Sequence, residues 1–401
     1  MELKKIIPAH KTENVRYAIR DIISLANQVA ATGKKMYYLN IGDPNIYDHI
    51  TPSTVVDATI KAMKENKNGY APSNGIPSAL EAIRVDANNK GIHNILDTFV
   101  TNGASEAIEL CLSALLNPGE NFLMPTPGYP LYTAVESKLE LEPNPYYLAE
   151  ENGWQPDVDD IKSKINSKTR AIVLINPNNP TGSVTKIEIL NQIIELALEY
   201  NLVIIADEIY DKLIFDGKEM VSIASLNQDV SCITFSGLSK NYVAPGFRIG
   251  WGVVSGRIEV LADYIEAINK LLRARVSANH PEQYAIAPAL QGDQSHLGVL
   301  VNKLQTRRDI MLEILSGIEG ISLVKPEGAF YAFPTIKVKD DSHFVSQLIQ
   351  ETGVVVVPGS GFGQKPNTNH FRIVTLPQEE ILRDAFKLIG EFYKLYLSKY
   401  E

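Results

Sequence analysis

The sequence predicts an α/β protein: a mostly parallel sheet covered by helices on both faces, joined to a smaller α+β unit. Through the first 285 residues, short apolar runs alternate with longer amphipathic stretches, the pattern of a sheet built from strand–helix repeats. Beyond about residue 285 the texture changes to short strands scattered among helices. The composition agrees. A chain of 401 residues, 45 % hydrophobic and 21 % charged, is ordinary for a globular protein and long enough to form a core without disulfide staples.

Seven candidate strands fall at 37–41, 98–101, 121–124, 171–175, 202–206, 233–235 and 249–254. The run Leu202-Val-Ile-Ile-Ala is apolar without a break, as in a strand buried on both faces. Helical patterns lie between most of these strands. One covers 105–116 and is stopped by Asn117-Pro118-Gly119. Another covers 186–200 and puts Ile187, Leu190, Ile193, Ile194 and Ala197 on one face. The smaller unit begins with a long helix at about 297–316. Strands at 321–324, 329–333, 354–357 and 370–374 follow, then a helix at 379–394 with apolar Ile381, Leu382, Ala385, Phe386 and Ile389. The expected division is 1–50, a segment reaching the small unit or a partner subunit; 51–285, the large unit; and 286–401, the small one. No Gly/Ser- or Pro-rich linker separates them, so close packing with a cleft between is expected.

Thirty-eight Lys and Arg against 47 Asp and Glu leave a formal charge of −9, which argues against a nucleic-acid binder. The two cysteines, Cys111 and Cys232, form neither a CxxC pair nor zinc-type spacing. The start lacks the apolar stretch of a secretory signal, and no run of 18 apolar residues occurs. These features imply a cytoplasmic protein with no membrane partner.

Five segments could carry chemistry. Residues 98–106 bring a β-rich run to Gly103-Ala104-Ser105 at the start of a helix, where free N–H groups can bind an anion; an ordinary helix start is the plainer alternative. Asn176-Pro-Asn-Asn-Pro-Thr-Gly182 follows a buried strand, at the edge where open α/β sheets bind ligands; it could also be a turn. Asp207 ends the apolar run 202–206, and a buried carboxylate there needs a cationic ligand or a salt bridge. Lys240 stands just past a strand among small hydroxyl residues, where desolvation would favour the nucleophilic neutral amine, although most lysines are on the surface. Arg248 follows on the way into the next strand and could grip an anion. Arg372 lies inside a strand of the small unit, facing a ligand, an acid or a sheet edge. Gly359-Ser-Gly-Phe-Gly363-Gln364 fails the dinucleotide pattern at its sixth position, and no GxxxxGK[ST], HExxH or GxSxG occurs.

In this order, the segments Asn-Asn-Pro-Thr-Gly (178–182), Ala-Asp-Glu-Ile-Tyr (206–210), Ser-Gly-Leu-Ser-Lys (236–240) and Gly-Phe-Arg-Ile-Gly-Trp (246–251) resemble the class I/II pyridoxal-phosphate aminotransferases of fold type I. Leu-Asn-Ile-Gly-Asp-Pro (39–44), Gly-Tyr-Ala-Pro-Ser-Asn-Gly (69–75) and Pro-Gly-Tyr-Pro-Leu-Tyr (127–132) add to the likeness, which covers nearly the whole chain. The resemblance implies a large domain with a mostly parallel seven-stranded sheet, a smaller α+β domain, and pyridoxal 5′-phosphate as cofactor. It also implies a role for each matching residue. Lys240 would hold the cofactor covalently and, once released, move a proton between the substrate Cα and the cofactor C4′. Asp207 would pair with the pyridine N–H⁺. Tyr210 and Asn179 would hydrogen-bond the ring O3′, and Tyr129 would stack on the ring. Gly103, Ala104, Ser105 and Arg248 would hold the phosphate, with a hydroxyl from Ser236 or Ser239. Many relatives carry a serine three positions before the lysine, where this chain has Gly237. Arg372 would bind the substrate α-carboxylate, assisted by Gly42 and Asn179. Tyr70 resembles the tyrosine that reaches the phosphate of the neighbouring subunit, which implies a homodimer with shared sites.

Within the family the chain looks most like bacterial-type alanine aminotransferases. The likeness rests on Glu13-Asn-Val-Arg-Tyr-Ala-Ile-Arg20, the Ser-Gly-Leu-Ser-Lys form and Arg275-Val-Ser-Ala-Asn-His-Pro-Glu-Gln283. It implies amino transfer from alanine to 2-oxoglutarate, with Tyr17 and Arg20 as substrate contacts. Arg20, Arg273 and Arg275 are candidates for the distal carboxylate of glutamate; for the last two, a solvated basic helix face is the alternative. Aspartate or aromatic aminotransferases, and a C–S β-lyase on the same fold, are the alternative activities. A transcription regulator would need a preceding basic DNA-binding module, and a dehydrogenase the glycine fingerprint; neither is present in this sequence.

Overall fold

A computed structural model describes residues 3, 5–13, 15 and 18–400, with side chains of the first helix from Ile22 onward. Tyr17 and the side chain of Arg20 lie outside the described residues.

The central sheet forms because three adjacent strands are apolar nearly throughout. Thr169–Ile175 is buried except at Arg170, and Val203–Asp207 and Cys232–Gly237 are buried at every position. Their side chains divide by period two. Ile172, Leu174, Ile204, Ala206 and Cys232 join one core with Leu190, Ile193 and Ile194 of the Ile187–Glu199 helix. Ala171, Val173, Ile175, Ile205, Ile233 and Phe235 join another with Ala107, Ile108 and Cys111 of the Ala104–Leu115 helix. The two faces are therefore covered by different helices, as a parallel sheet requires.

The sheet has eight strands, where seven were expected. Their spatial order is Ile95–Asn102, Ile249–Ser255, Cys232–Gly237, Val203–Asp207, Thr169–Ile175, Asn121–Thr126, Pro145–Ala149 and Gln155–Pro156. Pairing is parallel from Cys232–Gly237 through Pro145–Ala149. Ile249–Ser255 runs antiparallel to both of its neighbours, and Gln155–Pro156 antiparallel to Pro145–Ala149. Six of the seven expected strands belong to this sheet. The segment at 37–41 does not: its strand is Tyr37–Tyr38, and it pairs in parallel with Val354–Val355 outside the central sheet. The two strands the sequence hid lie at an edge and carry proline, which reads as turn chemistry because proline cannot donate to a ladder.

The carboxyl ends of the parallel strands share one edge. Asp207 is the last residue of its strand, Asn176 begins the loop after Thr169–Ile175, and Lys240 lies three residues past Cys232–Gly237. Gly103 follows Ile95–Asn102 at the same edge. Because Ile249–Ser255 runs the other way, Arg248 immediately before it also arrives there.

A separate core joins Ala26, Val29 and Leu39 to Phe344, Val355, Ile373 and Phe386. Its three-stranded sheet sets Phe371–Val374 between Tyr331–Ala332 and Val357–Pro358, both antiparallel. The long Ser295–Leu315 helix buries two consecutive arginines. Arg307 reaches Asp48, Glu379 and the Leu376 carbonyl, and Arg308 reaches Asp216 and the Pro326 carbonyl. Among the described residues no helix is long and apolar enough to cross a membrane.

Candidate active site

The shared edge opens into a cavity of about 520 Å³, lined by segments from every strand end just named together with Gly42, Tyr129, Tyr331 and Arg372. Lys240, Asp207, Tyr210, Asn179, Ala104, Ser105, Ser239 and Arg248 all line it.

At one end the Ala104–Leu115 helix begins. Its first turn has free N–H groups and the positive end of a twelve-residue helix. Gly103 holds a backbone φ of 81°, and a Cβ there would run into the Arg248 guanidinium. Only glycine lets the guanidinium lie against the helix start. Arg248 is itself left-handed, at φ 53°, and donates to the carbonyl of Pro245 at 2.9 Å and that of Asn102 at 3.4 Å. Ser239 lines this cavity, whereas Ser236 is buried within its strand and does not line it. This end is an anion cradle.

At the other end Arg372 is buried, its guanidinium 4.7 Å from the ring centres of both Tyr331 and Phe362. It donates to Asn179 Oδ1 at 3.3 Å and to the Asn40 carbonyl.

Asp207 and Lys240 line the same cavity. Burial pushes the Asp207 carboxyl up to about 6, against the pull of the Ile209 N–H, the Tyr132 hydroxyl and the Lys240 charge. Tyr132 donates to its Oδ2 at 3.3 Å and Ile209 N–H to its Oδ1 at 3.4 Å. Burial also pulls the Lys240 amine down to about 8; Asp43 opposes this, while Arg372 and Arg248 add to it. Lys240 Nζ donates to the Gly42 carbonyl at 2.8 Å. The Tyr210 hydroxyl lies 2.9 Å from that of Tyr331, and burial raises its pKa well above the usual phenol value.

Besides Ser236, three candidate side chains among the described residues do not line this cavity, of which Tyr70 was expected at a neighbouring subunit's site. Tyr70 is 87 % exposed and does not line the cavity. Arg273 pairs with Glu266 at 2.8 Å on an exposed helix face, and Arg275 donates to the Ser73 and Val100 carbonyls and pairs with Glu106. Neither arginine lines the cavity. Three residues were not assigned roles from sequence. Tyr331 sat in the expected strand at 329–333 and was given no role. Tyr132 and Asp43 sat inside motifs quoted only for their likeness. Pairing of Tyr132 with Asp207 could not be read from 75 residues of separation.

The donor set fits a flat cationic ring with a phosphate tail. A buried carboxylate, costly alone, matches a ring N–H⁺. The same cavity holds the anion cradle and a lysine of lowered pKa.

A family model for class I and II aminotransferases matches residues 34–386, and the chain belongs to that family. It is a pyridoxal-5′-phosphate-dependent aminotransferase of fold type I. The glutamate-pyruvate aminotransferase AlaA of Escherichia coli K12 is 39 % identical over 98 % of this chain and 99 % of its own length. The alanine aminotransferase of Mycobacterium tuberculosis H37Rv is 38 % identical over 96 % and 92 %. A solved alanine aminotransferase from Pyrococcus furiosus superposes with a TM-score of 0.94 at 40 % identity, covering 97 % of this chain and all of that one.

Proposed function

We propose that this enzyme moves the amino group of L-alanine to 2-oxoglutarate, giving pyruvate and L-glutamate in two half-reactions at one site. The observation that carries the reading is near-full-length identity of 38–40 % to proteins named for alanine or glutamate-pyruvate transfer. A tyrosine aminotransferase reaches 31 % and a solved aspartate aminotransferase 27 %.

When bound, the cofactor supplies a carbonyl carbon that accepts the amino group and an electron-poor ring that stabilises negative charge at the substrate Cα. The chain's residues do the rest. Asp207 holds the ring nitrogen protonated, with Tyr132 fixing its carboxylate. Tyr210 and Asn179 would hydrogen-bond the ring O3′, and Tyr129 would cover one ring face. Gly103, Ala104, Ser105, Ser239 and Arg248 bind the phosphate; the cavity position of Ser239 favours it over Ser236. Arg372, with Asn179 and Gly42, grips the α-carboxylate and presents the Cα–H to Lys240. The Lys240 amine, lowered toward neutral pH, then takes that proton as a general base. The resemblance gives Tyr17 and Arg20, whose side chains lie outside the described residues, a contact with the substrate.

The same reading makes the protein a cytoplasmic homodimer in which exposed Tyr70 reaches the partner's phosphate site. It divides the chain at 50 and 285, the first segment going with the small unit. Buried, unpaired Cys111 and Cys232 accord with a reducing compartment.

The test is a visible spectrum of purified holoenzyme. L-Alanine alone should convert the cofactor's band to the shorter-wavelength amino form, and 2-oxoglutarate should restore it. A band that alanine leaves unchanged overturns the substrate assignment in favour of aspartate or aromatic donors. Ammonia and pyruvate released from a β-substituted substrate without any 2-oxo acid would mark the lyase instead.

A further inference from the structure

The proposed cofactor contact and the proposed carboxylate grip are joined by one side chain. Tyr331 is 4 % exposed and lies on a two-residue strand beside Phe371–Val374, with Ala332 opposite Ile373 and Tyr331 opposite Val374. Arg372 is therefore its near neighbour across the ladder. The Tyr331 ring centre lies 4.7 Å from the Arg372 guanidinium carbon, a cation–π distance. Its hydroxyl lies 2.9 Å from the Tyr210 hydroxyl, and the two rings meet edge to face, 5.6 Å apart at 88°. The position is fixed from two further sides. Phe330 packs against the Tyr331 ring at 4.7 Å, and a Cβ on Gly42 would run into the Tyr331 hydroxyl. A side chain at position 42 would displace the hydroxyl pair, so glycine there preserves it.

We propose that Tyr331 is a positioning residue for transamination, whose hydroxyl orients that of Tyr210 and whose ring backs the Arg372 guanidinium. This rests on the roles given above to Tyr210 and Arg372. If Tyr210 donates to the cofactor's phenolic oxygen, its own oxygen is left to accept, and Tyr331 is the donor in the pair. A donor that is itself hydrogen-bonded donates more strongly. Tyr331 therefore strengthens the hydrogen bond that stabilises the cofactor's phenolic oxygen in its anionic form. Its ring and that of Phe362 both pack on the guanidinium at 4.7 Å, which suits a guanidinium that meets a carboxylate along its edge. One rigid side chain thus keeps the two contacts in register. The charged groups that line the same cavity are Asp43, Asp207, Lys240, Arg248 and Arg372.

The experiment compares wild-type holoenzyme with Tyr331→Phe and Tyr331→Leu. The first readout is the pH midpoint of the bound cofactor's visible band, without substrate. The second is the affinity for propionate, an unreactive carboxylate, read from the spectral change it causes. Tyr331→Phe keeps the ring and loses the hydroxyl. It should raise the midpoint by ~0.5–1 pH unit and leave propionate affinity within about twofold. In turnover it should lower kcat more than it raises KM. Tyr331→Leu should show the same shift and also weaken propionate by about tenfold. An unmoved midpoint in Tyr331→Phe overturns the hydroxyl's role. Equal propionate affinity in both variants overturns the ring's role. A wild-type protein showing no visible band after pyridoxal phosphate is supplied fails the reading of the site itself, and that control separates the two failures.

Discussion

Lys240 and Asp207 are moved toward neutrality from opposite directions, and burial is the main cause of both shifts. For the lysine this means the neutral amine is present in quantity above about pH 8. The rate at which cofactor-free protein takes up pyridoxal phosphate should rise as pH passes about 8, followed by growth of the visible band. A rate flat from pH 7 to 9 would remove the lowered lysine from the argument. Arg372 belongs to the same scale. Its planar fork, packed against two rings, matches a carboxylate in a way that an ammonium does not. Arg372→Lys should raise KM for L-alanine about 10- to 100-fold, roughly 1.4–2.7 kcal/mol of binding. A KM within threefold of wild type would mean that the α-carboxylate sits elsewhere.

The element that does most to fasten the parts together is the Ser295–Leu315 helix. Its buried Arg307 and Arg308 are tethers. Arg307 holds Asp48 and Glu379, and Arg308 forms a two-pronged pair with Asp216, each contact 2.8 Å. The Arg308 guanidinium, with Lys325, holds the Asp216 carboxyl well below the usual carboxylate range. Because that pKa is depressed on folding, the stabilisation is complete above the unfolded value of about 4 and is lost as pH falls below it. Asp216 is left-handed, at φ 60°, which asparagine also tolerates. Asp216→Asn should therefore cost about 2 kcal/mol at pH 7, discounted from a fully buried pair because the acid is partly exposed. The deficit should shrink toward pH 2 in urea unfolding. A deficit independent of pH would place its cause in the turn, not the ion pair.

For the whole molecule, the open question is whether a single chain makes a complete site. Tyr70 stands 87 % exposed, away from the cavity. If a neighbouring subunit uses it, Tyr70→Ala and Lys240→Ala proteins should each be strongly impaired alone. Mixed and reassociated, they should regain activity, because one site of each hybrid dimer then has both groups. Mixtures no more active than the sum of their parts would rule out a shared site.

The central sheet was legible because parallel strands buried on both faces must be apolar throughout, and such runs stand out between amphipathic helices. The segment at 37–41 was legible as a strand but not as to its partner, since strand pairing joins residues some 300 positions apart. The prolines of Pro145–Ala149 and Gln155–Pro156 hid the last two strands at one side of the sheet. Among site residues, those on strand-end loops were visible because Gly, Pro, Asn and a terminal acid break an apolar pattern. Tyr331 and Tyr132 were not, because a tyrosine in a core strand or helix looks like packing until its hydroxyl has a partner. The sequence by itself determined the fold class and the family, and it singled out Lys240, Asp207, Arg248 and Arg372, which the structure brings to one cavity. Only tertiary structure decided that Ser239 and not Ser236 faces the cavity, that Arg273 and Arg275 are engaged outside it, and that Tyr331 touches both Tyr210 and Arg372. Local pattern records what a residue must bury; which groups it meets is set by contacts between distant elements.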